Sequence, residues 1–122
     1  MPNTTEHEAA YRATLRRREV EAQQALAARR ERAWATARRA AAWLKAHHGV
    51  TRVMVFGSLV HNQWFSTRSD IDLAVWGLPD AVYFETVAHL QDLAAEFAID
   101  LVAVGHCKKS LYEHILEEGI AL

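Results

Sequence analysis

VMVFGSLVHNQWFSTRSDIDLAVW, residues 53–76, opens on an apolar run, Val53 to Phe56, that stops at Gly57-Ser58. A polar, irregular segment follows. Asp70-Ile71-Asp72 then leads into a second apolar run, Leu73 to Trp76. Short apolar runs rich in β-branched residues and bounded by turn signals read as buried strands. The stretch is therefore strand, tight turn, loop, strand. Side chains alternate across a strand, so Asp70 and Asp72 point to one face and Ile71 to the other. Two like charges side by side repel, and Asp is a poor strand former.

A hard divalent cation such as Mg²⁺ relieves that repulsion, because it prefers carboxylate oxygen and holds substrate phosphates as well. Gly57-Ser58 supplies the other half of such a site. Glycine lets the backbone approach a ligand closely. If Ser58 opens a helical turn through Leu59-Val60-His61, its hydroxyl and the nearby N–H groups form an anion site.

A strand ending in Gly-Ser, with Asp-x-Asp on the next strand, resembles the signature of the polymerase β-type nucleotidyltransferase superfamily. The short chain is most similar to its minimal nucleotidyltransferases (MNT), over roughly residues 34–122. The resemblance implies an α/β fold: a small mixed β-sheet core of the polymerase β palm type with helices, here preceded by a long N-terminal helix. It also implies an enzyme in which two Mg²⁺ ions are held by Asp70, Asp72 and a third acid. Asp100 fits that third place. It interrupts the apolar run from Ala98 to Val104, where a buried carboxylate would otherwise need a structural partner. In the family this third acid also orients or deprotonates the attacking hydroxyl. Gly57 and Ser58 would cradle the outer phosphates of ATP, with Arg68 close enough in sequence to reach one. His61 stands where many members carry Arg.

The resemblance extends to partners. Minimal nucleotidyltransferases pair with small helical HEPN toxins, and studied members act as antitoxins by moving AMP from ATP to a toxin tyrosine. The implied function is an antitoxin-type protein adenylyltransferase. Larger transferases carry extra domains for the acceptor, so the expectation is that a second macromolecule brings the hydroxyl. Rival readings are a non-catalytic antitoxin that acts by contact, and a nucleotidyltransferase acting on a small molecule or an RNA end.

Length and composition agree with one modest soluble domain: 122 residues, 51% apolar and 24% charged. The single cysteine, Cys107, cannot form an internal disulfide, which fits the cytoplasm. No apolar run is long enough to span a membrane. Charge is uneven. Residues 1–48 carry ten Lys/Arg and five Glu, whereas residues 49–122 carry four Lys/Arg and ten Asp/Glu.

That basic third lacks Gly and Pro from Glu6 to His47 and is rich in good helix formers. The division expected is a helical extension over 1–31 and a nucleotidyltransferase domain over 32–122. Met1 to Thr5 is expected to fray, Thr5 to cap the helix and Gly49 to close it. Tyr11, Ala22, Ala33 and Leu44 recur every eleven residues, with Leu15, Leu26 and Ala37 in step, which makes one straight but thin apolar stripe. Such an arm suits equally a solvated helix with many weak Arg–Glu contacts and packing on a second chain, including another copy of this one. Interspersed Glu argues against Arg16-Arg17-Arg18 and Arg29-Arg30 as a nucleic-acid grip. Trp34, Ala37, Ala41 and Leu44 form a stronger face that docks on the sheet.

Further along, Trp64-Phe65 reads as packing rather than base stacking. Asp80 reads as the cap of a helix over 81–97, with Tyr83, Val87, Leu90, Ala94 and Phe97 on its buried face. A third strand follows over 98–104. A capping box, Ser110 with Glu113, starts a helix that Gly119 ends, and a short edge strand closes the chain. His47-His48 reads as a partner for the helix dipole. His106, Cys107 and His114 match no zinc spacing.

Overall fold

Three neighbouring strands share one parity. In β1 (Arg52–Phe56), β2 (Ile71–Trp76) and β3 (Ile99–Ala103), the odd-numbered side chains Val53, Val55, Ile71, Leu73, Val75, Ile99 and Leu101 enter one buried cluster. The even-numbered Met54, Phe56 and Ala74 enter another. The registers produce this: Val53 pairs with Val75 and Val55 with Leu73 across the antiparallel β1–β2 ladder, and Leu73 pairs with Leu101 across the parallel β2–β3 ladder. A two-residue strand, β4 (Ile120–Ala121), pairs antiparallel with β1 and completes the order β3-β2-β1-β4. The expected mixed α/β sheet with a long leading helix is what this computed structural model shows, for residues 3–122. Met1 and Pro2, within the stretch expected to fray, lie outside the described residues.

The odd face is sealed by two helices. α1 (Thr4–Ala46) lays Ala33, Ala37, Ala40, Ala41 and Leu44 against it, and α2 (Tyr83–Leu93) adds Leu90. Alanine at four of these places lets the α1 backbone come close to the sheet. The even face is covered only in part, by Leu111 and Ile115 of α3 (Lys109–Glu118). What α3 leaves open is where the carboxylates lie.

α1 is one unbroken helix of 43 residues, so it runs through residue 31 without a joint. Its cap is Asn3, not Thr5. Asn3 Oδ1 accepts from the Glu6 N–H at 2.9 Å, and the Asn3 N–H donates to the Glu6 carboxylate at 3.1 Å. This capping box sits two residues earlier than expected, so Thr5 is already inside the helix. At the other end His47 caps, with its Nδ1 2.7 Å from the Trp43 carbonyl oxygen, as the dipole reading expected. His48 and Gly49 then take left-handed backbone, so the reversal begins one residue before the glycine. The eleven-residue stripe has two fates. Ala33, Ala37 and Leu44 are buried, Leu26 is half-buried, and Tyr11, Leu15 and Ala22 are exposed.

Other expectations shift at element ends. A 3₁₀ turn, Asp80–Val82, precedes α2, and the Asp80 carboxylate meets His106 Nε2 at 2.7 Å instead of capping the helix. α2 stops at Leu93. Ala94 and Phe97, both still buried, belong to the tighter turn that leads into β3. α3 starts at Lys109 with no side-chain cap. Ser110 is therefore inside the first turn and the proposed box does not form. Gly119 does end α3, and the short edge strand is β4.

Candidate active site

β1 delivers the chain to the site and the turn after it shapes the site floor. Phe56 pairs with Asp72 in the β1–β2 register, and the next residue, Gly57, has φ +75°. A Cβ built on Gly57 would overlap Oδ2 of Asp72. Glycine is thus required twice, by the left-handed backbone and by the carboxylate lying against it. Gly57–Val60 forms a single 3₁₀ turn, not an α-helical one. Ser58 is half-buried on it and Leu59 anchors it in the core.

Asp72 and Asp100 are register partners on the parallel strands β2 and β3. Neighbouring strands stand about 4.8 Å apart, so the two carboxylates are close lateral neighbours on the same face. Asp70 is exposed and immediately precedes β2, while Ile71 is fully buried on the opposite face, as alternation requires. Asp100 is exposed because β3 is an edge strand. A buried Asp100 needing a structural partner is therefore excluded. Asp72 is the most constrained of the three. Burial first, then the charges of Asp100 and Asp70, push its carboxyl up to about 6.

That electrostatic strain is what a divalent cation relieves. Among the described residues no three His, Cys, Asp or Glu side chains form a ready-made metal cage. Two adjoining carboxylates with a third nearby suit Mg²⁺, which takes one or two carboxylates and completes its shell with water and phosphate oxygens. The donor set fits the ion. His106, Cys107 and His114 are not gathered into a site: His106 faces Asp80, His114 faces Glu118, and Cys107 Sγ donates to the Val104 carbonyl.

The rest of the rim is less expected. Arg68 is exposed on a loop held by Ser66 and Ser69, whose side chains accept backbone N–H groups. His61 lies 2.9 Å from Glu118 Oε2 and packs against the Trp64 ring at 4.2 Å. Trp64 itself is 61% exposed whereas Phe65 is 3% exposed, so the packing expectation holds for Phe65 and not for Trp64. Beyond Asp100, a cleft of about 540 Å³ runs along the open edge of β3, lined by Leu78, Tyr83, Phe84, Val102 and His106. Arg29 and Arg30 are half-buried and turned toward the site's loops. Their place as neighbours of the site carried no sequence signal.

Residues 39–122 match the family model described as "Polymerase beta, Nucleotidyltransferase". The chain belongs to this family. Among solved structures, this nucleotidyltransferase is 30% identical to a protein assigned as a minimal nucleotidyltransferase, over 82% of this chain and 95% of that one, with a TM-score of 0.53. It is 19% identical to a chain from the complex of tri-AMPylated Shewanella oneidensis HEPN toxin with MNT antitoxin, covering 73% and 70% of the two chains, with a TM-score of 0.56. It is 24% identical to a chain of a toxin–antitoxin with AMP-PNP, at a TM-score of 0.51, and covers 59% of each. The nucleotidyltransferase thus spans about three fifths of that last relative. No curated protein matches it. None of the helices described is long and apolar enough to cross a membrane.

Proposed function

We propose that this nucleotidyltransferase moves AMP from ATP onto a hydroxyl, the phenol of a tyrosine, on a HEPN-type toxin, and so neutralises it. The observation that carries the reading is the Asp72–Asp100 pair beside the Gly57–Ser58 turn. Phosphate cradle and acids follow one another across β1, β2 and β3.

Asp70, Asp72 and Asp100 would hold Mg²⁺, which when bound neutralises charge on the triphosphate and the attacking oxygen. The turn at Gly57-Ser58 presents backbone N–H groups and a hydroxyl to the outer phosphates, and the exposed Arg68 on the loop before Asp70 is placed to meet another. In-line displacement puts the attacking hydroxyl and the departing pyrophosphate on opposite sides of the α-phosphorus. With the outer phosphates on the β1 side, the acceptor enters from the β3 side, past Asp100. The cleft there has an apolar wall containing Phe84, which is 83% exposed, and this favours an aromatic acceptor over a sugar. Asp100 orients the hydroxyl and takes its proton. The oxygen–phosphorus bond forms as the bond to pyrophosphate breaks.

The free part of α1 exposes Tyr11, Leu15 and Val20 to a second helix, from the toxin or from another copy of this chain. A cytoplasmic location fits ATP as the proposed substrate. The test is the intact mass of the neighbouring gene's product after incubation with this protein and Mg-ATP. One or more added AMP units with the wild type, and none with Asp70→Asn/Asp72→Asn, is the expected result. A stable complex without added mass would replace catalysis by simple contact.

A further inference from the structure

The three segments that carry the candidate site residues are all held by one short stretch of α1. Arg30 Nη2 donates to the Leu59 carbonyl at 2.8 Å, next to Ser58. Arg29 Nη2 donates to the Ser69 carbonyl at 3.5 Å, next to Asp70. Arg32 grips the Glu96 carboxylate with two nitrogens, at 2.7 and 3.0 Å, and the Arg29 guanidinium lies over the Phe97 ring at 4.6 Å. Those residues lead into β3 and Asp100.

We infer that Arg29 and Arg30 are positioning residues for the nucleotide site. The reason is mechanical. Asp72 and Asp100 sit inside strands and are fixed by ladder hydrogen bonds on at least one side. Ser58 and Asp70 sit just outside β1 and β2, on a 3₁₀ turn and a loop end, where no ladder fixes them. A charged donor on a rigid helix replaces the missing ladder, and hydrogen bonds from charged groups are the stronger kind. The arrangement is specific to these two side chains: the Nε atoms of both are buried with no partner, so each guanidinium has given up solvent to reach a loop carbonyl. Arginines that merely solvated the helix would not do so. A carbonyl pinned this way aims the peptide beside it, and a misplacement of about 1 Å at a transfer site costs rate.

The inference rests on the proposed nucleotide site, and its test separates the two. Amide hydrogen exchange is measured on the ligand-free full chain for the wild type, Arg30→Met, Arg30→Lys, the Arg29→Met/Arg30→Met double variant, and Arg16→Gln on the free arm. The reporters are the His61 amide, bonded to Ser58 O, and the Ile71 amide, bonded to Ala98 O. Affinity for a non-hydrolysable Mg-ATP analogue is measured in parallel by calorimetry. In Arg30→Met the His61 amide exchanges about tenfold faster while amides of the β1–β2 ladder keep their rates. In the double variant the Ile71 amide follows, and nucleotide affinity falls about tenfold. Arg30→Lys restores most of both, and Arg16→Gln changes neither. Wild-type exchange at both reporters, or an equal acceleration throughout the ladder, overturns the inference. If the wild type binds no nucleotide, the proposed function fails, and the exchange data still decide whether the two arginines hold these segments.

Discussion

The carboxylate of Asp72 occupies the space that a side chain on Gly57 would need. Turn and acid are therefore built as one object. Gly57→Ala imposes two separate penalties: left-handed backbone, on the order of 1–2 kcal/mol for a residue with a Cβ, and displacement of Asp72. We expect a clear fall in melting temperature and transfer activity reduced to background. Chemical denaturation and the intact-mass assay read the two effects.

The raised carboxyl of Asp72 makes stability depend on pH in a defined direction. Its folded-state pKa of about 6 lies above the ordinary 3.8. The native state thus holds a proton that the unfolded chain has lost, and its stabilising effect is complete below about pH 3.8. That contribution is lost as pH rises through 6. Asp72→Asn removes the repulsion, so in metal-free buffer at pH 7.5 the variant is more stable than wild type. The gain is on the order of 1 kcal/mol, because the group is half-exposed and water screens part of the effect. Mg²⁺ raises the melting temperature of wild type and does little for Asp72→Asn. Scanning calorimetry at pH 4.5 and 7.5, with and without Mg²⁺, checks all of these signs.

Trp64 and Phe65 are adjacent in sequence and opposite in role. Phe65 is buried beside Leu59 and α1, while Trp64 stands in solvent against His61. Phe65→Ala costs about 3 kcal/mol, as expected for a buried ring. Trp64→Ala stays within about 0.5 kcal/mol of wild type. Urea denaturation separates them, and equal losses would contradict the packing described.

Among the described residues, none before Leu26 is buried. Deleting residues 1–25 leaves the melting transition within about 2 °C. If the arm joins copies of this chain, the same deletion converts the dimer to a monomer in analytical ultracentrifugation. A full-length chain that sediments as a monomer at micromolar concentration rules out that role and leaves the arm to the proposed toxin partner.

The alternation of Asp70, Ile71 and Asp72 was legible because period-two chemistry survives folding: one face must be dry and the other need not be. Asp100 was legible as a misfit, although not its exposure, since sequence pattern does not say which strand lies at the edge. The N-caps moved by two residues because several polar residues compete at each helix start, and tertiary contacts such as Asp80 with His106 decide among them. The arginines of α1 were illegible for a deeper reason. They bond to backbone carbonyls 29 and 40 residues away, and a carbonyl has no residue type, so nothing in the partner's sequence announces the bond.

The shared parity of the strands sets how this protein can diverge. Odd positions from Val53 to Leu101 answer to a sealed interior, and even positions from Met54 to Val102 answer to a half-open face that holds the acids. A lineage that abandoned the chemistry could lose Asp72 and Asp100 and still inherit an intact, even hardier, scaffold. A lineage that eroded Ile71 or Leu73 would lose the scaffold first. Ancestry would then be recorded in one set of alternate residues and livelihood in the other.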